Sequence, residues 1–185
     1  LGGANGLSFV LPLVEVITSE NLADGLAMCE GKPDAFLLDD ILTEEEVQQF
    51  FVGAEPVAEA FTIGVSNPFI SSEYRTQMIA ELIEVNQEYM DAGITNELVI
   101  ESADTDVAGQ IQQLQNLMAK DVDAILVNPG DINGLNAPLE EAVAKGILVI
   151  SVDQELNVPG VYNVGIDQKL FATTSAEWLA EKLGG

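Results

Sequence analysis

The sequence predicts an α/β fold: a doubly wound parallel sheet of five to six strands with helices on both faces. Three observations carry that expectation. From residue 61 onward, short apolar runs alternate with amphipathic helical stretches in a regular rhythm. The strand-like runs are apolar without polar alternation, as strands covered on both faces should be. Hydrophobic residues make up 48% of the chain and aromatic residues only 6%, a balance that suits a Val, Ile, Leu and Ala core.

The elements follow in order. In residues 1–53, "LSFVLPLVEVITSENLADGLAMCEG" reads as a strand and a short helix capped at Ser19. "LLDDILTEEEVQQFF" begins a second helix, with Thr43 as cap and Glu46 three residues on. Residues 54–60, "AEPVAEA", form a small acidic joint. "FTIGVS" then opens the regular part as a buried strand. "SEYRTQMIAELIEVNQEYMDAG" is a helix whose apolar stripe is expected to be Met78, Leu82, Val85 and Tyr89, with Gly93 as its stop. "ELVIES" is the second strand, and "DVAGQIQQLQNLMAK" a helix carrying Ile111, Leu114 and Met118. "DAILVN" is a strand, "INGLNAPLEEAVAKG" a helix, "ILVISVD" a strand, "VYNVGID" a short strand and "QKLFATTSAEWLAEKLGG" a final helix. The chain of 185 residues thus divides into a segment 1–53, a linker 54–60 and one lobe, 61–185.

Charge and cysteine content exclude several functions. The formal net charge is −25, from 31 acidic and 6 basic residues, with no His. Nucleic-acid partners need clustered Lys and Arg, so none is expected, nor is binding to an anionic membrane surface. No run reaches the ~18 apolar residues of a membrane helix, so no insertion is expected. Cys29 is the one cysteine and no loop has calcium-ligand spacing, so neither a disulfide nor a metal centre is predicted. The "GLAMCEG" around Cys29 lacks the apolar run and small preceding residue of a lipid-attachment signal, and a small buried hydrophobe is its expected role. Without His there is no Ser-His-Asp triad, and "IGVSNP" has one glycine where a dinucleotide loop has three. No catalytic residue and no cofactor are predicted.

In an open parallel sheet, ligands bind beyond the carboxyl ends of the strands. Every strand exit here carries an amide or a carboxylate. The first has Ser66, Asn67 and Phe69; the second Ser102, Asp104 and Asp106; the third Asn128 and Asp131. The fourth has Asp153 and Gln154, and the fifth Asp167 and Gln168. Short amides and carboxylates pair with adjacent hydroxyls, and an aromatic ring offers a flat face to the C–H side of a sugar. The common strand order makes the first and third strands neighbours, and with them Asn67 and Asn128. Each residue also has an ordinary structural role open to it. Asn67-Pro68 and Asn128-Pro129 start turns, Asp104, Asp106, Asp131 and Asp167 can cap helices, and Phe69 can fill core. Asp153 is harder to absorb, because a carboxylate ending an apolar strand needs partners.

Residues 61–183 resemble the amino-terminal, Rossmann-like lobe of the periplasmic sugar-binding proteins of ABC transporters, of the ribose- and galactose-binding type. The likeness rests on "IGVSNPFISSEY", "QIQQLQNLMAKDVDAILVNPGD", "AVAKGILVISVDQE" and "VGIDQ", in order and at matching spacing. It implies that Asn67 and Phe69 meet the ligand from the first loop, Asn128 from the third strand and Asp153 from the fourth, with Asp104, Gln154 and Asp167 on the same rim. The family often has Arg after that aspartate, where this chain has Gln154, and often a second aromatic where this chain has Ile70. The resemblance further implies a permease partner, a periplasmic or extracellular location with a lipid anchor conceivable on the precursor, and a second lobe that these residues do not include. Residues 7–53 are similar to the family's carboxyl-terminal tail and are expected to pack on the lobe. That inverted order points to a permuted, rearranged or excised chain.

The expected function is therefore non-catalytic capture of a sugar or polyol for a transporter. Two other classes stay open at this point: the effector-sensing domain of a lactose-repressor-like regulator, and an enzyme on a flavodoxin-like sheet.

Overall fold

The structure, a computed structural model, describes residues 2–3, 6–11, 22–30 and 59–184. The helix expected from Thr43, the cap at Ser19 and the linker up to residue 58 lie outside the described residues. The chain falls into two compact units, one of Leu1–Val10 with Val57–Gly165 and one of Leu11–Pro56 with Ile166–Gly185.

The first unit is built on a sheet. Two short strands, β1 (Gly2–Gly3) and β2 (Gly6–Leu11), pair antiparallel. They are followed by β3 (Ile63–Asn67), helix α2 (Glu73–Asp91), β4 (Val99–Ser102), α3 (Val107–Ala119), β5 (Ala124–Val127), α4 (Asn136–Ala144), β6 (Leu148–Val152) and β7 (Val161–Ile166). Helix α1 (Leu22–Cys29) belongs to the second unit. The sheet order is β1-β2-β7-β6-β5-β3-β4, and β4, β3, β5, β6 and β7 are mutually parallel. The five expected parallel strands are therefore present, with β1 and β2 added at one edge. Because β3 pairs with β5, the first and third exits are adjacent, as the strand-order argument required.

The register decides which residues share a face. Gly64, Ile125 and Val149 lie level on one face, with Ser66, Val127 and Ser151 one step further on. Helices α3 and α4 cover this face and bury Leu114, Leu117, Met118, Leu135, Leu139 and Ala142 against Ile125, Val127, Val149 and Val161. Gly64 is needed for this approach: a Cβ there would stand 3.0 Å from a methyl of Leu117. The other face carries Val65, Leu126, Ile150 and Tyr162, and helix α2 lies on this side. Burial is uneven. Ile125 and Val127 are fully buried while Ala124 and Leu126 are half-buried, and Leu148 is exposed. The uniformly apolar strands thus do not report uniform cover.

Helix α2 corrects the expected stripe. Val85 and Tyr89 are exposed, whereas Arg75, Ile79, Leu82, Asn86 and Met90 form the inward row at helical spacing. Met78 and Leu82 are half-buried as expected, but two polar residues, Arg75 and Asn86, lie in the buried stripe, so a purely apolar count misplaces its edge. Helix α3 does the same more mildly: Gln110 and Gln113 are buried beside Leu114 and Met118, and Ile111 is only half-buried.

In the second unit, α5 (Gln168–Leu183) starts at Asp167, whose carboxylate accepts a hydrogen bond from the Leu170 amide at 2.8 Å. It ends at Gly184 in the left-handed conformation, and Lys182 reaches over the exposed Trp178 ring at 5.7 Å.

Candidate functional site

At the carboxyl end of β3 the chain must leave the sheet, and Asn67 organises that exit. Its side chain is fully buried. Nδ2 donates to the Phe69 carbonyl at 2.8 Å and to Ser102 Oγ on β4 at 2.9 Å. The Phe69 carbonyl can only accept, which fixes the amide orientation and leaves Oδ1 as the buried atom without a partner. Asp104 closes the same loop from the neighbouring exit. Its Oδ1 accepts from the amides of Ile70 (2.8 Å) and Ser71 (3.1 Å). Those backbone bonds, Ile70 first, hold the Asp104 carboxyl below its ordinary range. Asp104 is therefore a staple for the first loop, and Asp106 is the cap of α3, accepting from Gly109.

The third exit is tied to the first from behind by α3. Gln110, almost fully buried, donates through Nε2 to Ser66 Oγ (3.2 Å) and to the Asn128 carbonyl (2.9 Å), while its Oε1 accepts from the Gly130 amide (2.9 Å). Gln113 accepts from Ser66 Oγ at 2.9 Å and donates to the Asn67 carbonyl at 3.3 Å. The two glutamines thus satisfy backbone that would otherwise be stranded in the turns, and they set Asn67 and Asn128 side by side. Asn128 is 3% exposed; Nδ2 meets only the Met78 sulfur at 3.6 Å, and Oδ1 has no partner. Asp131 lies further out, where it accepts from the Asn133 and Gly134 amides and so closes a turn before α4. Those bonds hold its carboxyl low, Gly134 first.

At the fourth exit Asp153 takes φ = +76°, a left-handed conformation that Asp tolerates better than most residues. Its amide donates to the Val164 carbonyl at 2.9 Å. Gly165 lets that contact form, since a Cβ there would sit 2.9 Å from the Asp153 carbonyl oxygen. Gln154 completes the turn through its backbone: its amide donates to Val152 and its carbonyl accepts from Ser151 Oγ at 2.6 Å. The Asp153 carboxylate faces the guanidinium of Arg75, Nη2 to Oδ2 at 3.6 Å.

Arg75 is the residue the exit argument missed. Only 8% exposed, it projects from the first turn of α2 rather than from a strand end. A cation there opposes the helix dipole, which favours acids at that end. The guanidinium is held by Asp153 and by two rings, Phe69 at 5.8 Å and Tyr74 at 5.6 Å from their centroids. Its Nη1 has no partner. A guanidinium thus reaches Asp153 from α2, not from position 154. The available sequence signal was a rare cation, one of six basic residues, in the first turn of the helix that follows the Asn-Pro-Phe loop.

Among the described residues, five buried side-chain polar atoms lack a hydrogen-bond partner, and three of them are Asn67 Oδ1, Arg75 Nη1 and Asn128 Oδ1. An unmet buried group costs about 1–3 kcal/mol, and three of the five lie on this one rim. They comprise one donor and two acceptors, next to a carboxylate and a ring that is 38% exposed. The structure brings Asn67, Phe69, Asn128 and Asp153 into one connected constellation with Arg75. Asp104 and Gln154 shape its loops, and Asp167 belongs to the second unit. The described residues contain no cluster of His, Cys, Asp or Glu fit for a metal, and no described helix is long and apolar enough to cross a membrane.

Comparison with known proteins agrees with the α/β fold. The xylitol-binding protein of Mycolicibacterium smegmatis is 34% identical over 90 residues, which cover 48% of this chain and 26% of that protein. The ribose import binding protein RbsB of Bacillus subtilis is 28% identical over 130 residues, 67% of this chain and 39% of that one. The chain therefore spans well under half the length of these curated relatives. Among solved structures, an ABC transporter solute binding protein from Thermobispora bispora superposes with a TM-score of 0.63 at 25% identity, over 67% of this chain and 39% of that chain. One from Clostridium phytofermentans, solved with β-D-glucose bound, does so with a TM-score of 0.58 at 26% identity, over 66% and 37%. The periplasmic binding protein domain profile matches residues 63–185, from the first strand of the regular part to the last residue, and the chain belongs to that family.

Proposed function

We propose that this chain is a solute-capturing lobe of an ABC transporter binding protein, that it takes a neutral sugar or polyol, and that it performs no chemistry on it. The observation that carries this reading is the trio of unmet buried atoms, Asn67 Oδ1, Arg75 Nη1 and Asn128 Oδ1. A hydroxyl donates and accepts at once, so adjacent hydroxyls are the groups that satisfy one donor and two acceptors together. The relatives' names, xylitol-binding and ribose import, are in keeping with it. An anionic solute is disfavoured, because Asp153 already neutralises Arg75 and the chain carries −25 overall.

On this reading Asn67, Arg75, Asn128 and Asp153 make the polar contacts and Phe69 forms the apolar wall. A second lobe closes over the solute and a permease receives it, on the outer side of a membrane. A lone lobe makes half the contacts, so affinity in the ~mM range is expected. The test is an NMR titration of the chain with pentitols, pentoses, hexoses and inositol. Shifts localised to residues 66–78, 128–131 and 151–154 are expected. Titrations that move only surface amides elsewhere would overturn the assignment.

A further inference from the structure

A second cleft opens away from the rim, at the amino end of β4. Ile100 lies level with Val65 and shares its sheet face, and Leu98, two residues earlier, alternates onto the same face. Glu101 turns the other way, where it meets Lys120. Helix α2 brings Ile83 and Met90 over this face near its carboxyl end. Between helix and strand lies a cavity of about 180 Å³, walled by those four apolar side chains and lined by Asn86, Gln87 and Glu97.

The polar groups of this cleft are acceptors. Asn86 is 6% exposed, and its Nδ2 donates to the Asn96 carbonyl at 3.0 Å. A carbonyl only accepts, so the amide orientation is fixed and Oδ1 has no hydrogen-bond partner among the described residues. Gln87 Nε2 likewise donates to the Asp91 carboxylate at 2.8 Å, which leaves Oε1 as its spare atom. Glu97 is the one ionisable residue in the lining, and it is exposed. The helix end works in the same direction. The carboxyl end of a helix carries partial negative charge, which a base in the last turn offsets. The last turn of α2 has no base and holds Glu88 and Asp91 instead.

Acceptors, negative potential and apolar walls together call for a group with several donors, a positive charge and an apolar stem. We propose that this cleft binds a primary aliphatic ammonium ion. An ammonium has three donors and no acceptor, so Asn86 Oδ1, Gln87 Oε1 and the Glu97 carboxylate suit it, whereas a hydroxyl brings a lone pair that finds no donor in the lining. A cavity of about 150 Å³ holds benzene, so this one accommodates a stem of about four to six carbons, and a whole hexose, with twice as many non-hydrogen atoms, exceeds it. The cleft lies at the strand ends opposite Asn67 and Asn128 and uses neither.

The experiment is an NMR titration of the chain with n-pentylammonium against 1-pentanol, pentanoate and ammonium chloride at matched ionic strength. Shifts at residues 83–90 and 97–100 are expected, with pentylammonium at least tenfold tighter than each of the other three. An equal response to 1-pentanol would show an apolar cleft without preference for charge, and an equal response to ammonium a general attraction to the −25 surface; either overturns the proposal, as does no response. Glu97→Gln is expected to weaken pentylammonium at least fivefold, and Ile83→Trp to fill the cavity and abolish binding. Both positions are exposed, so the variants should fold. Unchanged affinity in either overturns the site. Amides 128–131 should not move with pentylammonium, so failure here leaves the solute-binding reading of the rim untouched.

Discussion

Arg75 and Asp153 meet at 3.6 Å across the rim, one from the first turn of α2 and the other from the turn that ends β6. The arginine side chain is 9% exposed and the aspartate 29%, so the pair is sheltered but not sealed. Removing one partner from a fully buried pair typically costs about 3–5 kcal/mol, and partial access to water lowers that figure. Asp153→Ala is expected to lower unfolding stability by roughly 1–3 kcal/mol. Arg75→Met combined with Asp153→Ala should cost less than the sum of the two single changes. Chemical denaturation of all four proteins measures the coupling, and strict additivity would show that the two charges do not feel each other.

Asn67 and Asn128 look alike in sequence and should respond oppositely to the same substitution. Asn128→Leu removes an unmet acceptor and loses only a contact to the Met78 sulfur, so stability is expected to hold or to rise by up to about 1 kcal/mol. Asn67→Leu removes two good hydrogen bonds and leaves the Phe69 carbonyl and Ser102 unsupported, at a cost of about 1–3 kcal/mol. Both variants should lose the solute response. Equal thermal destabilisation of the two would contradict the distinction drawn from their partners.

Gly165 is expected to govern the site without facing it. Its Cβ position lies 2.9 Å from the Asp153 carbonyl oxygen, and that atom is backbone, which cannot rotate away. Gly165→Ala should therefore displace the Asp153 turn, cost roughly 1–3 kcal/mol, and weaken solute binding. Amide shifts at residues 152–154 in the variant report the displacement directly; an undisturbed turn would refute the close approach.

Acid should loosen the first loop before it unfolds the core. Asp104 is held low by the Ile70 and Ser71 amides, against some desolvation. Glu101 is held low first by the hydrogen bond from Lys120 at 2.7 Å, with Asn116 adding to it. Both carboxyls bind a proton more weakly folded than unfolded, so their contribution is complete above the ordinary carboxylate pKa of about 4. It is lost as pH falls through the lower folded values. These groups should leave the melting temperature flat from pH 7 to 5 and lower it progressively below about pH 4. Asp104→Asn is expected to flatten that acid limb; an identical limb in the variant would show that the loop contacts are not coupled to protonation.

Much of the lobe was legible because apolar runs and helix stops act locally. The five parallel strands followed from alternation and handedness, and the adjacency of Asn67 and Asn128 from the strand order common to such sheets. What escaped was polar burial. Arg75, Gln110 and Gln113 lie on helices, and on a helix a polar residue defaults to the solvent side in any count of apolar spacing. Their inward aim is set by tertiary partners that sequence spacing does not encode: Asp153 for Arg75, and Ser66 with the exit carbonyls for the glutamines. The same default misplaced Val85 and Tyr89, which the inward row of α2 leaves exposed.

Gln110 clasps both exits with a single amide, joining Ser66, the Asn128 carbonyl and Gly130. A tug on either turn is thereby transmitted sideways to the other, and neither can shift alone without breaking a bond to Gln110. The aromatic–guanidinium corner stands outside this clasp. Exchanging the Phe69 ring or Arg75 should therefore reshape that corner while the amide-bearing floor stays put, a tethered floor beside an untethered corner.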